Sequence, residues 1–480
     1  MKRRISLLTA LVGGLALPFA TGQAKEHKEP TDGAITRALS AELFLDEGVR
    51  SQKIDVKVDH GIATLTGTVD NVLAKDRAVE RARSLRGVRS VVDRIAVVPV
   101  ARSDARIRQD IESALVADPA ADAYDLRVTV NAGEVTLEGT VESYGERNLS
   151  EVVAKGVRGV RAVDNRVIVK SPDHRPDHEI LHDINGRLTR SIEVDADLVE
   201  VDVNDGVVAL TGIVGSAAEK ARVARMAWTA GVKNVETKGL EVRSFARDDD
   251  KRQAGMPAPT DDAIVAAIRS ALGEDPRVST FSPVIEVENG VVTLTGMVGS
   301  LAAKLAAGDD ARNTVGVWRV RNLLRVRPLA AVADRSIRES ITQALRRDPY
   351  VERYEVGVTV TNGHAYLQGL VGTDFERDRA ADLAENAKGV VSVQNLLRTS
   401  EDPTWVDDLQ VKQDIEDELF WSPFVDEDQV EVSVENGVAT LRGTVDTLRE
   451  RYNAGSNALE GGAQAVINRL QVEGMEQKEL

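Results

Sequence analysis

Gly61-Ile62-Ala63-Thr64-Leu65-Thr66-Gly67 decides the fold, because the chain repeats it. Gly206-Val207-Val208-Ala209-Leu210-Thr211-Gly212 and Gly290-Val291-Val292-Thr293-Leu294-Thr295-Gly296 are its nearest copies. The second glycine of the phrase falls at Gly67, Gly139, Gly212, Gly296, Gly369 and Gly443, with gaps of 72, 73, 84, 73 and 74 residues. An apolar triplet at four-residue spacing precedes each one. The triplets are Ile35/Leu39/Leu43, Ile107/Ile111/Leu115, Ile180/Ile184/Leu188, Ile264/Ile268/Leu272, Ile337/Ile341/Leu345 and Val411/Ile415/Leu419. From the first member of each triplet to the second glycine the distance is always 32 residues. A third landmark, Gly87, Gly159, Gly231, Gly316, Gly389 or Gly462, follows 19 or 20 residues later. Six registered copies of three landmarks define a repeat protein.

Each landmark has a local physical meaning. The triplet places its members on one stripe of a helix. Asp32, Asp104, Asp177, Asp262 and Asp334 stand just ahead of five triplets, where an acid suits an N-cap or first turn. Alternation such as Ile54, Val56, Val58 and Val199, Val201, Val203 marks a strand with one buried face. Asp205-Gly206, Asn289-Gly290, Asn362-Gly363 and Asn436-Gly437 are two-residue hairpin turns, with His60-Gly61 and Ala132-Gly133 as weaker versions. The mid-strand glycine is expected at a bulge or beneath a helix. A second helix follows, such as Leu73 to Arg86, stopped by Gly87, and then a last strand, Val88 to Val98. The predicted fold class is α+β: tandem αββαβ units, each a three-stranded sheet with two helices on one face.

The expected boundaries are 32–100, 103–171, 176–243, 260–328, 333–400 and 405–474 for the six units. Residues 244–259, with Asp248-Asp249-Asp250 and Pro257-Ala258-Pro259, read as a linker, so the units form two arrays of three. Residues 1–24 read as a cleaved secretory signal: Lys2, Arg3 and Arg4, an apolar run from Ile5 to Ala20, then Gly22-Gln23-Ala24.

Composition narrows the chemistry. The 480 residues carry a net charge of −16, 4% aromatic residues and no cysteine. Without cysteine there are no disulfides, thiolate metal sites or cysteine nucleophiles. The acidic balance disfavours nucleic acid as a partner, and few aromatics disfavour sugar or base stacking. The acidity is uneven: residues 403–480 hold 17 acidic and 6 basic side chains, leaving the earlier units near neutral. There is no P-loop, no dinucleotide fingerprint after a strand and no G-x-S-x-G elbow.

The order of elements, the three spaced glycines and the leader resemble the BON domain family. That resemblance implies small modules of the periplasm or cell envelope, linked to stress and to contact with phospholipid. It brings no shared catalytic residues. Six copies exceed the one to three usual in the family. No lipidation cysteine is present, so a lipoprotein anchor is not expected.

Three sets of side chains invite a functional reading. His178-Glu179-Ile180-Leu181-His182 matches the H-E-x-x-H zinc phrase. The helical stripe through Ile180 and Ile184 puts both histidines on the solvent side, so neither a catalytic residue nor a resident metal is expected there. Lys75, Arg77 and Arg81 form a basic second helix that could meet anionic headgroups, or else a solvated face paired with Asp76 and Glu80. Trp318, Phe420, Trp421 and Phe424 are large apolar residues in slots outside the core pattern; that of Trp318 is filled elsewhere by Arg89, Arg161, Lys233, Val391 and Gln464. They suit a membrane or partner contact, or packing against a neighbouring unit. The expected function is non-enzymatic binding of phospholipid or envelope proteins in the periplasm, or outside the cell if there is no outer membrane. The alternative is a protein–protein scaffold or spacer. No cofactor, small-molecule substrate or nucleic acid is expected.

Overall fold

The computed structural model describes residues 30–49, 53–121, 125–170, 175–244, 259–278, 281–351, 356–400, 407–445 and 448–472. The leader at 1–24 and nearly all of the linker at 244–259 lie outside the described residues.

Repeat one shows how the landmarks become structure. Helix Asp32–Leu45 buries Ile35, Leu39 and Leu43, the predicted stripe. Thr31 caps it, its hydroxyl accepting from the Ala34 N–H at 3.3 Å. Strands Ile54–Asp59 and Ile62–Val69 pair antiparallel, with Val56 opposite Leu65. Helix Val72–Arg83 then carries the chain back, so that strand Ser90–Val97 pairs parallel with Ile62–Val69. Strand two is therefore the middle of the sheet, because a parallel partner needs a crossover whereas an antiparallel one needs only a turn. Val58, Ala63, Leu65, Ile95 and Val97 of the sheet pack against Leu39, Leu43, Ala78 and Ala82 of the helices, forming a core without aromatic residues of its own. The other five repeats follow the same order. Their departures include the last strand, which is broken in repeats two, four and six and shifts register between Glu236 and Gly239 in repeat three. The second strand of repeat four is also broken, at Gly296, and a 3-10 turn precedes the first strand in repeats three and six.

All six hairpins turn at two residues with positive φ. His60, Ala132, Asp205, Asn289, Asn362 and Asn436 lie at φ 49 to 52, each followed by a glycine. This primed turn matches the strand twist. Its backbone N–H groups are held from a distance. The Asp32 carboxylate accepts from the N–H of His60 at 2.8 Å and of Gly61 at 2.9 Å. The same clasp recurs from Asp104 to Ala132 and Gly133, and from Asp177 to Asp205 and Gly206. It recurs again from Asp334 to Asn362 and Gly363. In repeat four the residue is Asp261, which reaches Asn289 and Gly290, while Asp262 stands beside it as the expected first-turn acid. Repeat six has it as well, from Asp408 to Asn436 and Gly437. Helix start and hairpin tip are thereby tied together in every unit.

Two glycine expectations are corrected. Gly67 sits at φ 122 within an unbroken ladder, and a Cβ there would come 1.9 Å from the Lys53 carbonyl oxygen. The close approach is by backbone at the head of strand one, not by a helix, and there is no bulge. Gly87 does not end the second helix, which stops at Arg83 with Ser84 as its cap. It lies at φ 83 in the loop beyond, where a Cβ would come 2.8 Å from Ile35 Cδ1. The glycine lets this loop lie against the first helix.

Candidate interaction surfaces

Repeats meet through backbone groups at matching positions. The Arg86 N–H of repeat one donates to the Trp421 carbonyl of repeat six at 2.9 Å. The Arg158 N–H of repeat two donates to the Arg347 carbonyl of repeat five at 2.7 Å. The Val315 N–H of repeat four donates to the Arg190 carbonyl of repeat three at 2.9 Å. Each donor follows the second helix of its repeat, and each acceptor closes a first helix. Each seam thus joins one repeat from each side of the linker. In the seam of repeats three and four the contact is two-way, since the Ile192 N–H also donates to the Asn313 carbonyl at 2.9 Å. Pro349 and Pro423 stand where Ile192 does and have no N–H to give.

Side chains then make each seam individual. Between repeats one and six, the nearly fully buried Arg86 grips Glu427 with both terminal nitrogens, at 3.0 and 2.9 Å. It also donates to the Phe420 carbonyl at 2.7 Å, and its guanidinium lies 5.0 Å from the Phe420 ring. Phe420 is partly exposed and meets Trp421 edge-on, while Trp421 packs against the core of repeat one. Phe424 is half-buried beside them, its N–H bonded to Ser422 Oγ at 3.3 Å. Arg81 is shared among Asp46 at 2.9 Å, Glu460 at 3.1 Å and Glu42 at 3.6 Å. Glu42 and the Glu418 carboxyl of repeat six contend for the same cation. Burial pushes Glu42 up to about 8 and Glu418 up to about 7. At the two corresponding positions of the seam of repeats two and five stand Ala114 and Ala344, both buried.

The other residues singled out in the sequence are also engaged. Arg77 pairs with Asp46 at 2.6 Å and lies 5.0 Å from the Phe375 ring of repeat five. Lys75 bridges Asp93 at 2.9 Å and the Ile95 carbonyl at 3.0 Å within repeat one. Trp318 is half-buried against the core of repeat six, with the Arg451 guanidinium 4.2 Å from its ring. In the structure these side chains make contacts between or within units. His178 and His182 are exposed on helix Asp177–Arg190, and Glu179 pairs with Arg175 at 3.6 Å. Among the described residues no group of three or more His, Asp or Glu side chains is gathered to hold a metal ion. Likewise no helix there is long and apolar enough to cross a membrane.

Sequence reasoning missed two features. One is an asparagine in the last strand, Asn165, Asn322, Asn395 or Asn468. Its amide donates to a carbonyl of the second helix at 2.6 to 2.9 Å and so docks that helix on the sheet. The other is the outer face of the repeat-four sheet. Val292, Leu294 and Val298 point into the core, so their neighbours Val291, Thr293 and Met297 point out. Opposite these, in parallel register, stand Arg319, Arg321 and Arg325, all exposed. Arg327 continues the row. Among the described residues none of the four makes an ion pair. The signal was present as Arg-Val-Arg at 319–321 and again at 325–327, which is alternation at the strand period.

The architecture defines a class of protein: a tandem array of small αββαβ modules that meet through their helix ends and the loops after them. Comparison with known proteins gives that module its family. A model of the BON domain matches residues 31–99, 103–171, 176–244, 260–328, 333–401 and 407–474, and the chain belongs to that family. Osmotically-inducible protein Y of Escherichia coli is 32% identical over 146 residues, which is 29% of this chain and 73% of that protein. A 21 kDa hemolysin of Actinobacillus pleuropneumoniae is 28% identical over 156 residues, 32% of this chain and 79% of that protein. Among solved structures, the C-terminal domain of CdsD from the Type III secretion system of Chlamydia trachomatis is 17% identical. That match covers 42% of this chain and 95% of that one, with a TM-score of 0.12.

Proposed function

We propose that this six-repeat BON protein is a non-enzymatic, exported protein of the cell envelope that binds phospholipid or other envelope components. In a cell with two membranes its place is the periplasm. The observation that carries this reading is the division of surfaces within the array. Helix ends and the loops after them are taken up by the seams, whereas the outer sheet faces remain open in several copies at once. Repeated weak contacts on one chain gain strength through effective concentration. The relationship to a protein named for osmotic induction supports a role under osmotic or envelope stress.

The test is co-sedimentation of the full chain with vesicles of phosphatidylcholine alone and of phosphatidylcholine mixed with phosphatidylglycerol, at low salt. Pelleting with the mixed vesicles, reversed by salt, is the expected result. Absence of pelleting with either, together with stoichiometric recovery of one envelope protein in a pull-down, overturns lipid binding in favour of a scaffold.

A further inference from the structure

We infer that the outer sheet face of repeat four is the part of the array that meets an anionic bilayer surface. This rests on the lipid-binding reading above and adds a place to it.

Three observations converge on that face. The first is the unpaired charge: Arg319, Arg321, Arg325 and Arg327 lie along strands Arg319–Asn322 and Arg325–Val326 and just past them, all exposed. Neighbours two apart on a strand are about 7 Å from one another. The carboxylates on the same face, Glu286 and Glu288, lie on the far strand Val284–Glu288. Strand Val291–Thr295 stands between, so each is about 10 Å from the arginine in its row. They therefore leave the guanidinium groups free for phosphate, which arginine binds in bidentate fashion.

The second observation is apolar. Val284, Met297 and Leu323 are 52%, 58% and 60% exposed in this same sheet region, where their counterparts could have been polar at no cost to the core. Apolar side chains among arginines suit a surface that is anionic at its headgroups and oily just beneath.

The third is contrast between copies. The last strands of repeats one and five carry one exposed arginine each, Arg94 and Arg398, and repeat three offers Lys238 with Arg243 just past the strand. Repeat two has Arg166 and Lys170, but both are paired, with Asp164 at 2.7 Å and with Glu142. Edge strands commonly carry a charge to block sheet-to-sheet pairing. One residue suffices for that, and four in alternation exceed it. Repeat six, which holds most of the chain's acidity, has Arg469 there.

The experiment compares three full-length proteins on the phosphatidylglycerol-containing vesicles. One is the wild type, and another is Arg319→Gln/Arg321→Gln/Arg325→Gln. The third is Arg94→Gln/Lys238→Gln/Arg398→Gln, which removes the same charge from three other repeats. Each basic residue near an anionic surface contributes roughly fivefold in affinity. The repeat-four variant is expected to lose at least about tenfold, and the control variant about as little as loss of bulk charge allows. All six side chains are exposed, so thermal unfolding midpoints should agree and exclude misfolding. Equal losses in the two variants overturn the assignment to repeat four while leaving lipid binding intact. No binding by the wild type overturns lipid binding itself. Capture of an acidic protein by the wild type but not by the repeat-four variant, without vesicle binding, assigns the face to a protein partner and overturns the inference.

Discussion

Asp104 holds the N–H groups of Ala132 and Gly133 at 2.9 and 3.0 Å, and Ala132 sits at φ 49. Left-handed backbone costs an alanine on the order of 1 kcal/mol, and asparagine much less. The clasp therefore offsets an unfavourable turn in repeat two, whereas in repeat six Asp408 holds an Asn-Gly turn that forms readily. Asp104→Ala should destabilise by about 1–3 kcal/mol, and more than Asp408→Ala. Adding Ala132→Asn to Asp104→Ala should recover part of the loss. Urea unfolding of the full chain reads these differences, and equal effects at Asp104 and Asp408 would contradict this account. Acid should weaken the clasp in repeat one. The backbone N–H groups of Gly61 and His60 hold the Asp32 carboxyl below its ordinary value. Its contribution is therefore present above the ordinary carboxylate range and lost as pH falls through the lowered value. The sequence made Asp32 and Asp104 legible as helix-start residues but passed over Asp408, and it made the turns legible as turns. Their joining was hidden because 28 residues separate the partners. Only the constant offset from the triplet could have revealed it, and that offset selects Asp261 and Asp408.

At the scale of the element, the mid-strand glycine separates strain from crowding. Gly67 and Gly296 have similar φ, 122 and 115. A Cβ at Gly67 would lie 1.9 Å from the Lys53 carbonyl oxygen, whereas at Gly296 the nearest atoms are 3.9 Å away. Gly67→Ala must displace the head of strand one in addition to straining the backbone. It should cost about 3 kcal/mol or more, against about 1–2 for Gly296→Ala. Differential thermal unfolding decides the ordering, and an equal cost would mean that backbone conformation alone governs this position. The alternation Ile54, Val56, Val58 made the strand legible. The reason for the glycine in the strand paired with it was not, because the partner is a main-chain oxygen that any residue could supply.

For the molecule as a whole, the decisive contacts are those between repeats, and they left almost no trace in the sequence. The donors Arg86, Arg158 and Val315 and the acceptors Trp421, Arg347 and Arg190 need no particular side chain, since the bonds are main chain to main chain. What the sequence does carry is the chemistry that tells one seam from another. Between repeats one and six, Glu42 and Asp46 on one first helix face Asp414, Asp417 and Glu418 on the other. Glu460 closes the site, and Arg77 and Arg81 are the cations. With Glu42 raised to about 8 and Glu418 to about 7, the seam's stability is fully present below the ordinary glutamate range and lost as pH rises through 7 to 8. The thermal midpoint of the wild type should therefore fall between pH 6 and pH 9. Glu42→Gln/Glu418→Gln should flatten that slope, and an unchanged slope would rule out these two carboxyls as its source. Arg86→Ala should cost about 3 kcal/mol by stranding Glu427 and opening the same seam, read as faster hydrogen exchange in helix Asp408–Trp421.

The contact of repeat one with repeat six also sets a timetable. Arg86 and the Phe420 carbonyl lie 334 residues apart in the chain. Each module has its own core and can collapse as soon as it leaves the ribosome or emerges across a membrane. The first module nonetheless waits for the last before its buried guanidinium finds an anion. Such distant closure slows the final step of maturation relative to the folding of any single unit. It also means that a chain cut short after repeat five presents, on its opening module, an apolar and cationic surface with no mate. Quality control in the compartment would have that surface to recognise.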